Sequence, residues 1–99
     1  MIKRIVKLTF QPEKTADFQS IFESSKALIR GFPGCHHLEL WRDRNQPEVF
    51  FTYSYWEDEA ALEQYRHSEL FKRTWAKTKA LFGGKPEAWS VEVASQVEQ

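Results

Sequence analysis

The segment "CHHLELWRDRNQPEVFFTYSYW", residues 35–56, decides the fold, because it has the pattern of two strands joined by a turn. Polar and apolar side chains alternate over residues 35–43, as in a strand with two unlike faces. Residues 44–47, "RNQP", are typical of turns. The run that follows, residues 48–56, is rich in the aromatic and β-branched residues that favour strands. We therefore predict a β-hairpin.

A strand and a helix precede this hairpin. In residues 1–10, "MIKRIVKLTF", apolar residues recur at every second position, so the pattern predicts a strand with one mostly apolar face. Pro12 opens a helix at a position where its missing N–H group costs little. Apolar residues then follow helical spacing as far as Phe32, and residues 31–34, "GFPG", end the helix.

Two helical pieces and a strand follow the hairpin. Helical spacing resumes at Ala60, and Ser68 is a suitable N-cap for a second piece that ends at glycines 83–84. Residues 88–97 are typical of a last strand, which runs into a polar tail, residues 94–99. The order strand, helix, strand, strand, helix, strand is that of the ferredoxin-like α+β class, with an antiparallel sheet and helices on one side.

Helices can cover only one face of such a sheet, so the other face is left open. That face would carry Lys7, His37, Glu39 and Trp41, together with half of the aromatic residues of the third strand. A contiguous aromatic patch is seldom left in water by a monomer. We therefore predict a homodimer that pairs these faces and can enclose a cavity beneath each sheet.

Length, charge and cysteine content exclude several classes of function. The 99 residues make one domain, residues 1–99, in which 14 basic residues balance 14 acidic ones. A chain without net charge has no electrostatic attraction to nucleic acid or to an anionic membrane. No apolar run is long enough for a membrane span, and the alternating N-terminus does not have the pattern of a signal peptide. The single cysteine, Cys35, allows no internal disulfide and fits a cytoplasmic protein.

Aromatic residues make up 15% of the chain, with four Trp and eight Phe. So much aromatic area suits either a tightly packed small core or a pocket for a flat apolar ligand. Helical spacing places Tyr65 and Trp75 inward, where both interpretations remain open. His67 lies near the break between the two helical pieces, where we expect it to be exposed.

The adjacent residues His36 and His37 do not indicate a metal site. Neighbouring strand residues point to opposite faces, and the chain has neither an H-x-x-x-H spacing nor a second cysteine. We expect one of the two to pack under a helix and the other to face the barrel or solvent. Cys35 has no base directed toward it, so we expect a small buried residue and not a nucleophile.

Two stretches resemble the antibiotic biosynthesis monooxygenase (ABM) domain family: "PGCHHLELWRD", residues 33–43, and "VFFTYSYWEDEAALEQYRHSELFKR", residues 49–73. Family members are similar in a PGC…E strand, a strand ending in Trp-Glu-Asp, an Ala-Leu pair and a Ser/Thr-x-x-Phe step. The matching residues here are Pro33, Gly34, Cys35, Glu39, Trp56, Glu57, Ala61, Leu62, Ser68 and Phe71. The resemblance implies a ferredoxin-like domain that forms a dimeric α/β barrel.

The family includes cofactor-independent monooxygenases of polycyclic phenols, haem-degrading enzymes and enzymes that process small signalling molecules. Many members have a His nine residues after the position of Trp56, and haem degraders have a Trp there, but this sequence has Tyr65. Trp75 stands where haem degraders place their iron-ligating His, and Val6 or Lys7 where they place an Asn. The resemblance therefore implies no haem, and a Tyr in the pocket suits the phenol-oxidising members.

With this resemblance we expect a cofactor-independent monooxygenase acting on a small or polycyclic aromatic molecule, such as a phenol or hydroquinone. Tyr65 would donate to the substrate oxygen, and His37 would be the base, with Glu39 setting its tautomer or pKa. The pocket would be lined by Trp41, Trp56, Phe71 and Trp75. Two alternatives remain: a dimeric barrel that binds a small molecule without turnover, and an isomerase or decarboxylase on the same fold.

Overall fold

The computed structural model describes residues 1–98 as four strands and three α-helices. The strands are β1 (Ile2–Thr9), β2 (Cys35–Arg42), β3 (Val49–Trp56) and β4 (Glu87–Val91). The helices are α1 (Thr15–Arg30), which follows a short 3-10 turn (Pro12–Lys14), α2 (Glu59–Arg66) and α3 (Glu69–Lys79). The predicted order of elements is confirmed. Residue 99, the end of the predicted polar tail, lies outside the described residues.

The strands form one antiparallel sheet in the order β2-β3-β1-β4. The helices pack on one face, where residues of β1, α1 and β3 share a buried cluster of Leu8, Phe10, Phe18, Phe22 and Phe50. The predicted α+β, ferredoxin-like architecture with helices on one side of the sheet is thus confirmed.

Aromatic packing at one end of the sheet attaches α1 to it. The ring of Phe10 stacks on Phe18 with centroids 4.2 Å apart, and Phe18 meets the ring of Phe50 edge to face at 5.3 Å. Burial of each of these side chains contributes about 1.5–3 kcal/mol. At the other end, Cys35, Trp56 and Leu62 form a second buried cluster beneath α2.

Side-chain caps define where α2 and α3 begin. The Asp58 carboxylate accepts a hydrogen bond from the Ala61 amide at 2.8 Å, and the Ser68 hydroxyl accepts one from the Phe71 amide at 3.1 Å. Each cap satisfies an N–H group that has no partner inside its helix. The prediction that Ser68 caps the second piece is confirmed.

The end of α3 differs from the prediction, because the helix ends at Lys79 and not at the glycine pair. Beyond it the chain turns back toward the end of β1, where Phe82 forms an isolated bridge with Phe10. The amide of Gly83 then donates to the Thr9 carbonyl at 2.9 Å. A Cβ at Gly83 would lie 2.9 Å from the backbone of Phe10, so this close approach requires glycine.

The last strand is shorter than the predicted range 88–97. β4 pairs with residues Lys3 to Lys7 of β1, and β1 itself begins at Ile2. Residues 92–98 lie beyond this paired stretch and are not part of a strand.

A β-bulge in β2 changes the position of the first histidine. Cys35 pairs with Trp56 and His37 pairs with Tyr55, so His36 is an extra residue between them. The prediction that one histidine packs under a helix is wrong, because His36 is exposed and Cys35 takes the inward position at 5% exposure. The prediction that Cys35 is a small buried residue is confirmed.

No helix within residues 1–98 combines the length and the apolar character needed to cross a lipid bilayer.

Candidate functional site

A cavity of about 350 Å³ lies between the helix-covered face of the sheet and the three helices. This volume is within the range of small-molecule sites. Most of its lining is apolar and includes Val6, Leu8, Leu38, Leu62, Phe71 and Trp75. Exposed residues at the edge of the lining, Arg66 from α2 and Ala88 from β4, mark the side on which the cavity approaches solvent.

The period of a strand decides which side chains of the sheet reach the cavity. Arg4 of β1 is paired with Ser54 of β3, and Val6 is paired with Thr52. All four residues line the cavity, because strand residues two apart point to the same face.

Tyr65, in the last turn of α2, lies in an aromatic environment. Its ring stacks on Trp56 with centroids 4.8 Å apart and planes inclined by 23°. The rings of Phe32 and Phe71 meet it edge to face at 5.5 Å and 5.2 Å. Burial raises the pKa of the Tyr65 phenol well above its ordinary value, with a smaller contribution from Cys35. The phenol therefore keeps its proton at neutral pH and can donate it in a hydrogen bond to a ligand.

Trp56 belongs to the core and to the cavity wall at the same time. The side chain is 1% exposed, and its indole N–H donates to the Ser54 hydroxyl at 3.0 Å. Both residues line the cavity. For Trp56 the two interpretations of the aromatic residues, core or pocket, are therefore not exclusive.

Phe71 and Trp75 of α3 form the opposite wall. Their rings are stacked with centroids 5.7 Å apart and planes inclined by only 10°. Trp75 also meets Phe82 edge to face at 5.5 Å, which fixes the indole from the other side. Both side chains are half-buried and line the cavity.

Arg4 places a positive charge in this mainly apolar lining. Its guanidinium donates to the Ser90 hydroxyl of β4 at 2.9 Å. Burial lowers the pKa of Arg4, as does the neighbouring Arg66, while Glu59 and Glu63 of α2 oppose this effect. An arginine stays charged despite such a shift. The cavity therefore offers a cation beside aromatic walls.

Arg4 is not among the residues predicted for the site, although the sequence carries a signal for it. In "IKRIVKL", residues 2–8, Arg4 is the only charged side chain on the half of the alternation that carries the apolar residues. A charge on the inward half of a strand is costly unless a partner or a ligand compensates it.

The structure places His37, Glu39 and Trp41 on the open face of the sheet, opposite the cavity. They are paired with Tyr55, Tyr53 and Phe51 of β3, whereas the cavity is lined by the intervening residues of that strand. The structure therefore does not bring His37 and Glu39 together with Tyr65. Trp41 likewise lies across the sheet from Trp56 and Trp75, and its role in lining a pocket stays a prediction.

His37 and Glu39 do contact each other on that open face. A ring nitrogen of His37 is hydrogen-bonded to the Glu39 carboxylate, which also accepts from the Trp41 indole N–H at 2.8 Å. The bonds from Trp41 and His37 lower the pKa of Glu39. The contact between two strand residues of the same face thus exists, but its catalytic role stays a prediction.

Lys3, which is not among the residues predicted for the site, contacts two tyrosines on the same open face. Its ammonium group lies 3.3 Å from the Tyr53 hydroxyl and 3.4 Å from the Tyr55 hydroxyl. These hydrogen bonds raise the pKa of Lys3. The Tyr53 hydroxyl donates in turn to that of Tyr55 at 3.1 Å. The open face therefore carries an ordered polar and aromatic network.

The remaining histidine lies apart from the cavity and from the network on the open face. His67 is exposed, as predicted, and its ring lies 3.3 Å from the Glu63 carboxylate. In the part of the chain that the structure describes, no three His, Cys, Asp or Glu side chains are grouped so that they could hold a metal ion.

Solved structures share the whole fold. A structure named antibiotic biosynthesis monooxygenase superposes with a TM-score of 0.90 at 22% identity, covering 96% of this chain and 100% of its own. A conserved protein of Methanosarcina mazei Go1 superposes with a TM-score of 0.86 at 22% identity, covering 91% of this chain and 89% of its own. A protein of Pseudomonas aeruginosa superposes with a TM-score of 0.84 at 23% identity, covering 95% of this chain and 94% of its own. At such identities the similarity shows the fold alone. No curated protein matches the sequence.

A match to a family model is more specific than these structural similarities. The model described as antibiotic biosynthesis monooxygenase matches residues 1–77. This range contains β1, α1, β2, β3, α2 and most of α3, and with them most of the residues that line the cavity. The resemblance found in the sequence is thus confirmed, and the chain belongs to the antibiotic biosynthesis monooxygenase (ABM) family.

Proposed function

We propose that this protein is a cofactor-independent monooxygenase that oxidises a small or polycyclic phenol or hydroquinone in the cavity. The observation that carries the proposal is the composition of the lining: aromatic walls formed by Trp56, Phe71 and Trp75, with the protonated phenol of Tyr65 among them. Flat rings pack well against such walls, and a fixed donor suits an oxygen that gains negative charge.

The chemistry balances without a reductant. A phenol with a free para position, such as α-naphthol, reacts with dioxygen to give the para-quinone and water. One oxygen atom enters the ring as the second carbonyl. The other leaves as water with the hydroxyl hydrogen and the ring hydrogen that the substrate loses. All four electrons come from the substrate, so the protein needs only to bind, orient and stabilise charge.

Each part of the cavity has a task in this reaction. The apolar walls exclude water, which strengthens every electrostatic interaction inside the site. Tyr65 donates a hydrogen bond to the substrate oxygen as charge develops on it. His37 lies on the opposite face of the sheet. Because both hydrogens that the substrate loses end in water, the net reaction does not require this histidine as a base.

A binding module without turnover is the second candidate. Within residues 1–98 no histidine lines the cavity, and the one carboxylate residue of the lining, Glu87, is 3.8 Å from the Lys7 ammonium with its side chain 55% exposed. An isomerase or decarboxylase needs a positioned proton donor or acceptor. The composition of the lining therefore supports a binding module more than either of these enzymes.

Incubation of the purified protein with α-naphthol under isotopically heavy dioxygen tests the proposal. We expect a quinone that carries one heavy oxygen atom by mass spectrometry, formed without added metal, haem or flavin and with a chelator present. Tyr65→Phe should slow its formation, and Tyr53→Phe on the open face is the matched control. Binding without product would favour the binding module. Conversion of α-naphthol under argon, and so without dioxygen, would favour the isomerase or decarboxylase.

We infer that a second copy of this chain covers the open face. The face carries five large rings and charges of both signs, which a two-fold axis can pair with each other. These residues are Lys3, Lys7, Glu39, Trp41, Phe51, Tyr53, Tyr55 and Trp89. Trp41 and Trp89 remain 38% and 44% exposed in the single chain, which supports a covering partner.

Native mass spectrometry tests the dimer, with an expected species at twice 11.7 kDa. Trp41→Glu should shift it to the monomer, because a carboxylate would be placed beside Glu39 in the interface. Leu28→Glu, at a 57% exposed position of α1 on the helix side, is the matched control and should stay dimeric. A monomeric wild type would contradict the inference.

We further propose a cytoplasmic location. Cys35, the single cysteine of the sequence, is free and buried. Burial raises the pKa of its thiol, which keeps the thiol protonated and unreactive. A reducing compartment suits such a residue. Fractionation of the source cells, with detection of the protein by antibody, tests this location.

A further inference from the structure

The cavity contains a positive charge that takes part in no ion pair within residues 1–98. Arg4 is half-buried and lines the cavity beside Val6, which lies on the same strand face. Its guanidinium forms one side-chain hydrogen bond, to the neutral hydroxyl of Ser90. Within residues 1–98 the ion pairs of the protein do not include Arg4. Four of its five N–H donors are thus left for other partners.

The second observation is where this charge lies relative to the aromatic walls. Arg4 is paired across the sheet with Ser54, and the Ser54 hydroxyl accepts from the indole of Trp56. That indole stacks on Tyr65. Arg4 and Tyr65 therefore line the same end of the cavity, beneath α2, and the charge of Arg66 on that helix is close enough to act on Arg4.

We propose that Arg4 binds the negatively charged oxygen of the ligand, so that the cavity takes its phenol as the phenolate. This inference rests on the proposed function, because it names the ionisation state in which that phenol is bound. Ser90 holds the guanidinium in place from β4, and Tyr65 supplies a second donor to the same oxygen. A charge-assisted hydrogen bond of this kind is about twice as strong as a neutral one.

Glu59 and Glu63 favour the charged form of Arg4, but neither forms an ion pair with it. On α2, Arg66 is already paired with Glu63, their atoms being 3.0 Å apart, and Glu59 is exposed in the first turn. Tyr65 is neutral because burial holds its proton. Glu87, the one carboxylate residue of the lining, lies 3.8 Å from the Lys7 ammonium. The charge of the lining that has no ion-pair partner within residues 1–98 is therefore that of Arg4, which has the sign needed to bind an anion.

Binding as the phenolate removes the need for a base in the cavity. The hydroxyl proton is released to solvent when the ligand binds, and the electron-rich phenolate is the species that gives an electron to dioxygen. When the second oxygen atom leaves as water, it takes the ring hydrogen and one proton from solvent. Atoms and electrons balance as before, and the lack of a histidine in the lining is then expected.

The sign of a pKa shift distinguishes this inference from simple apolar binding. An apolar cavity alone disfavours the charged form and raises the pKa of a bound phenol. Arg4 acts in the opposite direction. Para-nitrophenol is a suitable probe, because its phenolate is yellow and its ionisation is read from absorbance in the presence of saturating protein.

We expect wild-type protein to lower the pKa of bound para-nitrophenol by about one unit, which corresponds to about tenfold tighter binding of the phenolate than of the phenol. Arg4→Gln should raise that pKa above the value of the free phenol. Arg66→Gln should change it less, because Arg66 is exposed and paired with Glu63. Arg73→Gln, on the exposed side of α3, is the matched control and should leave it unchanged.

Two results would contradict the inference. A bound pKa equal to or above that of free para-nitrophenol in the wild type would overturn the role of Arg4 and leave the cavity as an aromatic site. A wild type that binds neither para-nitrophenol nor α-naphthol would remove the proposed function and this inference with it. The wild-type measurement alone gives the sign, so the test does not depend on whether Arg4→Gln folds.

Discussion

The indole of Trp56 and the phenol ring of Tyr65 are stacked, with their centroids 4.8 Å apart and their planes inclined by 23°. The contact joins the last residue of β3 to the last turn of α2. Because Trp56 is 1% exposed and lines the cavity, the wall of the site is also part of the core. A site built on packed elements of this kind holds its groups in place before a ligand arrives.

Replacement of Tyr65 by Phe should separate the two roles of this residue. The Tyr65→Phe ring can keep the stack on Trp56, so the free energy of unfolding should change by less than about 0.5 kcal/mol. The lost hydroxyl should weaken binding of para-nitrophenolate by about tenfold to thirtyfold, since a hydrogen bond to a charged oxygen contributes about 1.5–2 kcal/mol. Urea unfolding and an absorbance titration measure the two effects. Unchanged affinity would contradict the role of Tyr65 as a donor to the ligand.

The stability of the protein should fall at high pH because of the same phenol. Burial raises the pKa of Tyr65 in the folded state above the ordinary value of about 10 that it has in the unfolded chain. The folded state thus binds this proton more tightly, so the contribution is complete below about pH 10 and is lost as the pH rises beyond it. Between about pH 10 and pH 11 the loss approaches about 1.4 kcal/mol per pH unit for one proton.

A comparison of variants isolates that contribution. Urea unfolding at about pH 9 and about pH 11 should show a smaller loss in Tyr65→Phe than in the wild type. The buried thiol of Cys35 also has a raised pKa, but it is present in both proteins and cancels from the difference. Equal losses in the two proteins would show that the phenol of Tyr65 ionises as freely in the folded state as in the unfolded one.

Removal of the Ser54 hydroxyl should destabilise the protein although it deletes only one atom. The indole N–H of Trp56 donates to this oxygen at 3.0 Å, and both residues are buried. Ser54→Ala leaves that donor without an acceptor, which costs about 1–3 kcal/mol. Ser24→Ala, whose exposed hydroxyl bonds to the Ile21 carbonyl, is the matched control and should change the free energy of unfolding by less than about 0.5 kcal/mol in urea. Similar values for both variants would contradict the assignment.

The sheet could be predicted from the sequence because its two faces follow a period of two. The pairing of His37 and Glu39 with β3 residues of the open face agrees with the alternation in residues 35–43. The bulge at His36 could not be predicted, because it depends on how β2 pairs with its neighbour and not on its own pattern. The same shift brings Cys35 to the inward position.

The site itself was predicted only in part, for a physical reason. Helical spacing placed Tyr65 and Trp75 inward, and both line the cavity. Aromatic residues occupy both faces of β3, so the sequence could not show which face lies over an empty volume. The position of this empty volume depends on the distance between the helices and the sheet. His37 was therefore grouped with Tyr65, although the sheet separates them.

Removal of the His37 side chain should distinguish a residue of the open face from a base of the cavity. In His37→Ala the affinity for para-nitrophenol should stay within about twofold of the wild type, since the cavity lies across the sheet. The free energy of unfolding should fall by about 1 kcal/mol, because the ring packs 4.7 Å from that of Tyr55 in the same chain. An absorbance titration and urea unfolding measure the two effects. A loss of affinity with unchanged stability would restore His37 to the site.

Substitution of Gly34 should disturb the site through the backbone. Gly34 has a φ of 86°, and a Cβ there would lie 2.5 Å from the Cβ of Ala61 in α2. Gly34→Ala therefore combines about 1–2 kcal/mol of backbone strain with a contact that moves the helix carrying Tyr65. We expect the free energy of unfolding to fall by at least about 2 kcal/mol in urea, with weaker ligand binding.

Two variants identify the cause of that loss. Gly31→Ala, at a φ of −82° in the same turn, should cost less than Gly34→Ala, because its backbone is in a region open to any residue. Adding Ala61→Gly to Gly34→Ala removes the contact but not the strain, so it should restore ligand binding more than stability. If the double variant were no better than Gly34→Ala in both measurements, the close approach of α2 to this turn would not be what positions Tyr65.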